Sequence, residues 1–187
     1  MIRLRFHGRG GQGTVLAVET LAAALLIDGK YAQSMPRFGA ERRGAPVMAF
    51  MRVDDSMIHE RGWVENPDYV VVLDNALLRI APVTSGLQAG GGLIVNSTLA
   101  PEEVKTDGDY RVATVDANSI ALKHGLGSAA APVINTVMLG AVARVTGLVS
   151  LEALKEAIKD KIPVRQQANA DAAEEAYRAV RIGQKVG

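Results

Sequence analysis

The sequence predicts an α/β fold around a mixed, mostly parallel sheet, opened by a Rossmann-like βα unit. Three observations predict it. Alternating residues 2–6 run directly into a glycine loop and then a helical stretch rich in Ala and Leu. Short continuous apolar runs follow at 69–73, 93–95 and 112–115, and helical patterns fill the last third of the chain. Strand, glycine turn and apolar helix are the first half of a βαβ unit, and unbroken apolar strands are those that helices cover on both faces.

Each element has its own signal. Ile2, Leu4 and Phe6 alternate with Arg3, Arg5 and His7, which predicts a strand with one buried face. Residues 14–28 have almost no polar face and Gly29 stands just beyond them, so a buried helix with a glycine stop is expected. Residues 30–35 form a short returning strand, and Val47, Ala49, Met51 and Val53 mark another, close enough to be its antiparallel neighbour. Residues 57–67 are irregular and carry the only tryptophan, Trp63.

The three apolar runs end in Asp74, Asn96 and Asp116. In an open parallel sheet the ligand crevice lies beyond the carboxyl ends of the strands, where these side chains would face the glycine loop. Each also serves as an N-cap or turn residue for the next element. Residues 132–146, followed by Gly147, predict a second buried helix. Ser150 precedes an amphipathic helix with Leu151, Leu154, Ile158 and Ile162 at helical spacing, stopped before Pro163. The last helix, residues 165–181, carries the small-residue stripe Ala168, Ala172, Ala176 and Val180 and is expected to pack closely.

Composition removes several functions. With 187 residues, 48% of them hydrophobic and 22% charged, the chain is expected to be one domain over residues 1–187. Its 21 Lys and Arg against 20 Asp and Glu give a net charge of +1, without the basic excess of a nucleic-acid binder. The absence of Cys removes disulfides, thiolate nucleophiles and Cys-ligated iron–sulfur clusters. His7, His59 and His124 stand too far apart for a metal motif. No apolar run has the length of a membrane span, and the charged N-terminus does not read as a targeting peptide, so a cytoplasmic protein with no membrane partner is expected. No acid, base or nucleophile is arranged as a catalytic set.

Two segments carry chemistry. Gly8, Arg9, Gly10, Gly11, Gln12 and Gly13 contain G-x-G-x-x-G between a strand and a helix. Glycines let the backbone approach a ligand, and the helix N-terminus offers unpaired N–H groups to a phosphate. Against a dinucleotide stand Arg3 and Arg5 in the first strand and the missing acidic residue about 20 residues on, since Asp28 sits at a helix end. The loop is therefore a dinucleotide site, another phosphate site, a structural turn or a subunit contact. The second segment, Glu41, Arg42, Arg43 and Gly44, sets two guanidinium forks beside a carboxylate, suited to clamping an anion or pairing with a partner chain.

The runs 6–13 and 38–47, in that order, closely resemble the gamma subunit of the multisubunit 2-oxoacid:ferredoxin oxidoreductases, the pyruvate type above all. The strand at 68–74 and the segment 135–141 are similar in layout, so the resemblance spans the chain. It implies a three-layer α/β/α domain with a mixed sheet. It also implies a complex that decarboxylates a 2-oxoacid on thiamine diphosphate, passes electrons through iron–sulfur clusters to ferredoxin, and makes acyl-coenzyme A. Thiamine diphosphate and the clusters would lie on alpha, beta and delta type partners. This chain, inactive alone, would approach the active site with coenzyme A. Gly8, Arg9, Gly10, Gly11, Gln12 and Gly13, with Arg42 and Arg43, become candidate coenzyme A contacts, and Glu41 their orienting ion-pair partner. A branched-chain 2-oxoacid enzyme, a purely structural assembly subunit and a stand-alone dinucleotide-binding protein are the alternatives.

Overall fold

A computed structural model describes residues 1–37 and 44–183. Glu41, Arg42 and Arg43 lie outside the described residues. The chain runs β1 (Ile2–Arg9), α1 (Thr14–Ile27), β2 (Tyr31–Arg37), β3 (Pro46–Asp54), β4 (Tyr69–Val72), α2 (Leu77–Ile80), β5 (Gly92–Asn96), β6 (Arg111–Val115) and α3 (Ala117–Lys123). It continues through β7 (Gly127–Ser128), β8 (Ala131–Pro132), α4 (Asn135–Thr146), α5 (Leu151–Lys161), α6 (Gln166–Ala179) and β9 (Arg181–Ile182).

Seven strands form one sheet in the order β2-β3-β1-β4-β5-β6-β9. β1, β4, β5 and β6 pair in parallel, β3 lies antiparallel between β1 and β2, and β9 closes the far edge antiparallel to β6. From β1 the chain goes to one side for β2 and β3 and then crosses to the other for β4, β5 and β6. The switch between those two directions falls beside β1, where open α/β sheets bind ligands.

On one face α1, α3, α4, α5 and α6 cover Leu4, Phe6, Met51, Val71 and Ile94. The other covering layer is thinner: α2, the 3-10 turn Pro101–Glu103 and the adjoining loops bury Val70, Val72, Leu93 and Val95. Ser150 caps α5 by accepting from Ala153 N at 3.1 Å, and Gly147 ends α4 at a φ of 63°. Both signals act as the sequence indicates.

Four expectations change. The polar side of β1 is not solvated: Arg5 and His7 are 7% and 6% exposed, because loops around Glu65 and Val83 cover them. Arg5 donates from Nε to His7 Nε2 at 2.9 Å and from Nη2 to the Val83 carbonyl at 2.9 Å. α1 is buried on one side only, since Leu26 and Ile27 emerge at its last turn. α4 begins at Asn135, because residues 127–132 form the β7–β8 hairpin. The last helix stops at Ala179, and Arg181 and Ile182 pair with β6 instead.

The alanine stripe of α6 packs inside the fold. A β-carbon at Gly140 of α4 would overlap the Ala173 carbonyl, so the two helices meet backbone to backbone. Neither this stripe nor Arg5 is a free contact surface for another subunit.

Candidate functional site

The glycine loop continues β1 past its last paired residue. Gly11 and Gly13 take φ values of 95° and 73°, which side chains rarely adopt. Gly8 must be small because a β-carbon there would overlap Thr14 Oγ1. Gln12 closes the loop, its Oε1 accepting from Arg9 N at 2.7 Å. Gly10 is tied to the other motif: its N–H donates to the Ala45 carbonyl at 2.8 Å, and Gly44 N–H donates to the Gly10 carbonyl at 3.1 Å. The register of β1 on β3, with Arg9 opposite Pro46, forces this meeting. The glycine loop and Gly44, the last residue of the second segment, therefore meet at one end of the sheet.

Arg9 extends across that end. Its Nε lies 2.5 Å from Asp74 Oδ2, and its Nη1 donates to the Gly44 carbonyl at 3.0 Å. Asp74 also accepts from Ala76 N at 2.9 Å, turning the chain after β4. Asn96 is a staple: Nδ2 donates to the Leu73 carbonyl at 2.9 Å while Oδ1 accepts from Ala117 N at 3.0 Å. Asp116 caps α3 by accepting from Ser119 N at 3.0 Å. All three strand-end side chains serve local structure, and all three also line the same crevice as the glycine loop.

That crevice measures about 820 Å³ and lies at the carboxyl ends of β1, β4, β5 and β6. Arg9, Gly10, Gly11, Gln12 and Gly13 form one wall, while Ala129, Ala130 and Val133 on and beside the β7–β8 hairpin form another. Gly8 sits behind the wall. Asn135 is a lining residue that residue type and spacing do not reveal, because only folding brings it against Gly13. The nearest signal is its place at the start of a buried helix. Among the described residues no group of three or more His, Asp and Glu is placed to hold a metal ion. Among the described residues no helix is long and apolar enough to cross a membrane.

The topology also bears on the dinucleotide reading. In a dinucleotide fold the ribose-binding acid stands at the end of a parallel strand next to the first. Here β1 has the antiparallel β3 on one side, with β2 beyond it, and on the other side the parallel β4, whose terminal Asp74 is paired with Arg9.

Residues 3–179 match the pyruvate ferredoxin/flavodoxin oxidoreductase family. The chain belongs to that family. Within it, the chain is 51% identical over 181 residues to pyruvate synthase subunit PorC of Methanothermobacter thermautotrophicus, covering 96% of each chain. It is 50% identical over 184 residues to the pyruvate/ketoisovalerate oxidoreductases common subunit gamma of Thermococcus kodakarensis, covering 95% of this chain and 96% of that one. The crystal structure of the pyruvate oxidoreductase subunit PORC from Thermotoga maritima superimposes with a TM-score of 0.83 at 39% identity, over 98% of both chains. The fold alone recurs as 30% of a longer 2-oxoglutarate:ferredoxin oxidoreductase chain from Magnetococcus marinus, with a TM-score of 0.75 at 19% identity.

Proposed function

We propose that this family member is the gamma subunit of a 2-oxoacid:ferredoxin oxidoreductase, most plainly a pyruvate enzyme, and that its crevice receives coenzyme A. Thiamine diphosphate and iron–sulfur clusters sit on alpha, beta and delta type partners, and ferredoxin takes electrons from the complex. The chain is cytoplasmic and inactive alone. A sequence without Cys has no thiolates to offer a cluster. The observation that carries the reading is the meeting of the glycine loop with Gly44, the last residue of the second motif, on one crevice at the switch point of the sheet.

The crevice suits part of a long, anionic, amide-bearing ligand. Its volume lies within the usual range of about 300–1,000 Å³ for ligand sites, and the N-cap of α1, Gly13, lines it, with no side-chain cap and no acidic residue in the helix's first turn. Because one relative is named as common to pyruvate and ketoisovalerate enzymes, we assign selection of the 2-oxoacid to the partner subunits.

The experiment is purification of the tagged chain with its partners from anaerobic extract, with native Ala130 or with Ala130→Trp. Ala130 is exposed at the hairpin tip and lines the crevice. The native eluate is expected to reduce an electron acceptor in a 2-oxoacid- and coenzyme A-dependent reaction. The indole is expected to raise KM for coenzyme A and leave KM for the 2-oxoacid unchanged. An unchanged KM for coenzyme A refutes the crevice assignment, and a lone protein that binds NAD or FAD refutes the family role.

A further inference from the structure

Resting on the reading that this chain works inside a multisubunit complex, we infer that the sheet face over β2 and β3, centred on Trp63, docks an acidic surface of another subunit. The helices cover one side of these strands. Ala49, Met51 and Val53 of β3 belong to the core beneath them, so Met48, Phe50 and Arg52, which alternate along the strand, face the other way. There they meet residues 55–67, which form neither helix nor strand.

Trp63 is the centre of this thin cover. Its ring packs on the buried Phe50 with centroids 5.4 Å apart, yet Trp63 itself is 52% exposed. The Arg37 guanidinium lies 6.0 Å over the indole, and Met57 on the same loop is 63% exposed. A lone exposed apolar residue needs no explanation. Trp, Met and Arg together are the residues enriched in interface cores, and Trp and Arg are those that anchor them.

Charge states the kind of partner that fits. Arg52 donates from Nη2 to the Gly62 carbonyl at 3.0 Å, directly beside Trp63. Glu60 lies 3.4 Å from Arg3 and 3.3 Å from Arg52, so one carboxylate serves two guanidinium groups. Arg37 and Arg61 are exposed, Glu65 is the other acid near the ring, and Asp55 is turned to Lys30 at 3.9 Å. Arg3, Arg37, Arg52 and Arg61 against Glu60 and Glu65 leave two positive charges in excess. Guanidinium forks suit carboxylates. A local excess this small does not hold a phosphate backbone, whose affinity grows with the number of phosphates neutralised. A protein surface bearing Asp and Glu is the occupant that matches.

The test uses the anaerobically purified complex and the gamma chain released from it. Both are oxidised briefly with hydroxyl radicals and read by mass spectrometry. Trp63 and Met57 are expected to oxidise in the released chain and to lose most of that oxidation in the complex. This needs no variant. A second measurement compares native Arg61, Arg61→Lys and Arg61→Glu in the tagged chain. Arg61→Glu sets like charges against each other and is expected to lower recovery of the partner subunits about fivefold or more, with the chain's thermal midpoint unchanged. Arg61→Lys is expected to keep the partners, and native recovery falls as salt rises. Equal oxidation of Trp63 and Met57 in both states overturns the inference, while the complex in hand keeps the subunit reading. Protection in the complex with recovery unmoved by Arg61→Glu overturns the acidic partner. Protection in the released chain that dilution removes assigns the face to a second copy and overturns it too. A native chain that elutes without partners overturns the subunit reading itself.

Discussion

The Arg9 guanidinium reaches across the end of the sheet to Asp74, Nε to Oδ2 at 2.5 Å, and this pair joins the glycine loop to the carboxyl end of β4. It also sets the charge of the crevice. Asp74→Asn leaves the turn to Ala76 N intact through its remaining carbonyl oxygen but releases the arginine's charge toward the ligand. The loop itself stays in place through its backbone bonds to Gly44 and Ala45 and the Gln12 closure. A partly exposed pair is worth about 0.2–1 kcal/mol, so the expected result is KM for coenzyme A lowered up to about fivefold. The gain should shrink as salt rises, since exposed charges are screened. Steady-state kinetics at two ionic strengths checks it, and a raised KM would show that the pair orders the loop instead.

Legibility in the sequence tracks the length of each signal. The βα opening, the apolar strands, the Ser150 cap and the Gly147 stop are local patterns several residues long, and they appear where the sequence places them. The burial of Arg5 and His7 is not legible, because the carbonyls that cover them come from Glu65, Val83 and Ser85, distant in sequence. α2 and β9 are too short to carry a period. At the site, both motifs can be found from residue type and spacing, whereas the pairing of Gly13 with Asn135 depends on α1 and α4 meeting end to end.

The buried His7 predicts an acid sensitivity. Burial foremost, and the neighbouring Arg5 charge second, lower its pKa from 6.5 to about 3. Its Nε2 accepts from Arg5, which only the neutral ring can do. An unfolded chain takes up a proton as pH falls below about 6.5, and the folded chain does not until near 3. Stability is therefore full above that window and declines through it, by at most about 1.4 kcal/mol per pH unit for one proton. Denaturant unfolding at pH 7 and pH 5 should show a smaller acid loss in His7→Gln than in the native chain. Equal losses would mean the ring is protonated in the fold.

Gly140 tests the helix layer. In an isolated helix, Gly→Ala stabilises by up to about 1 kcal/mol. Here the added carbon would stand 2.7 Å from the carbonyl carbon of Ala173, which is backbone and cannot rotate away. Overpacking of this kind costs about 1–3 kcal/mol, so Gly140→Ala is expected to lower the thermal midpoint despite its better helix propensity. A midpoint at or above that of the native chain would mean α6 shifts freely over α4, and that the alanine stripe is not what fixes their spacing.

Arg42 and Arg43 decide between ligand binding and assembly at the second motif. They lie outside the described residues, but their segment returns at Gly44, on the rim of the crevice and hydrogen-bonded to Gly10. Two guanidinium forks serving phosphates make an energetic contribution that falls with salt. Serving a partner chain, they hold the subunit in the complex. The double substitution Arg42→Ala and Arg43→Ala is expected to raise KM for coenzyme A tenfold or more, on a scale of about 1.5–3 kcal/mol per charged hydrogen bond. The salt dependence of that KM should flatten while the purified complex keeps one gamma chain per set of partners. Loss of the gamma chain with an unchanged KM in the complex that remains would assign the motif to assembly.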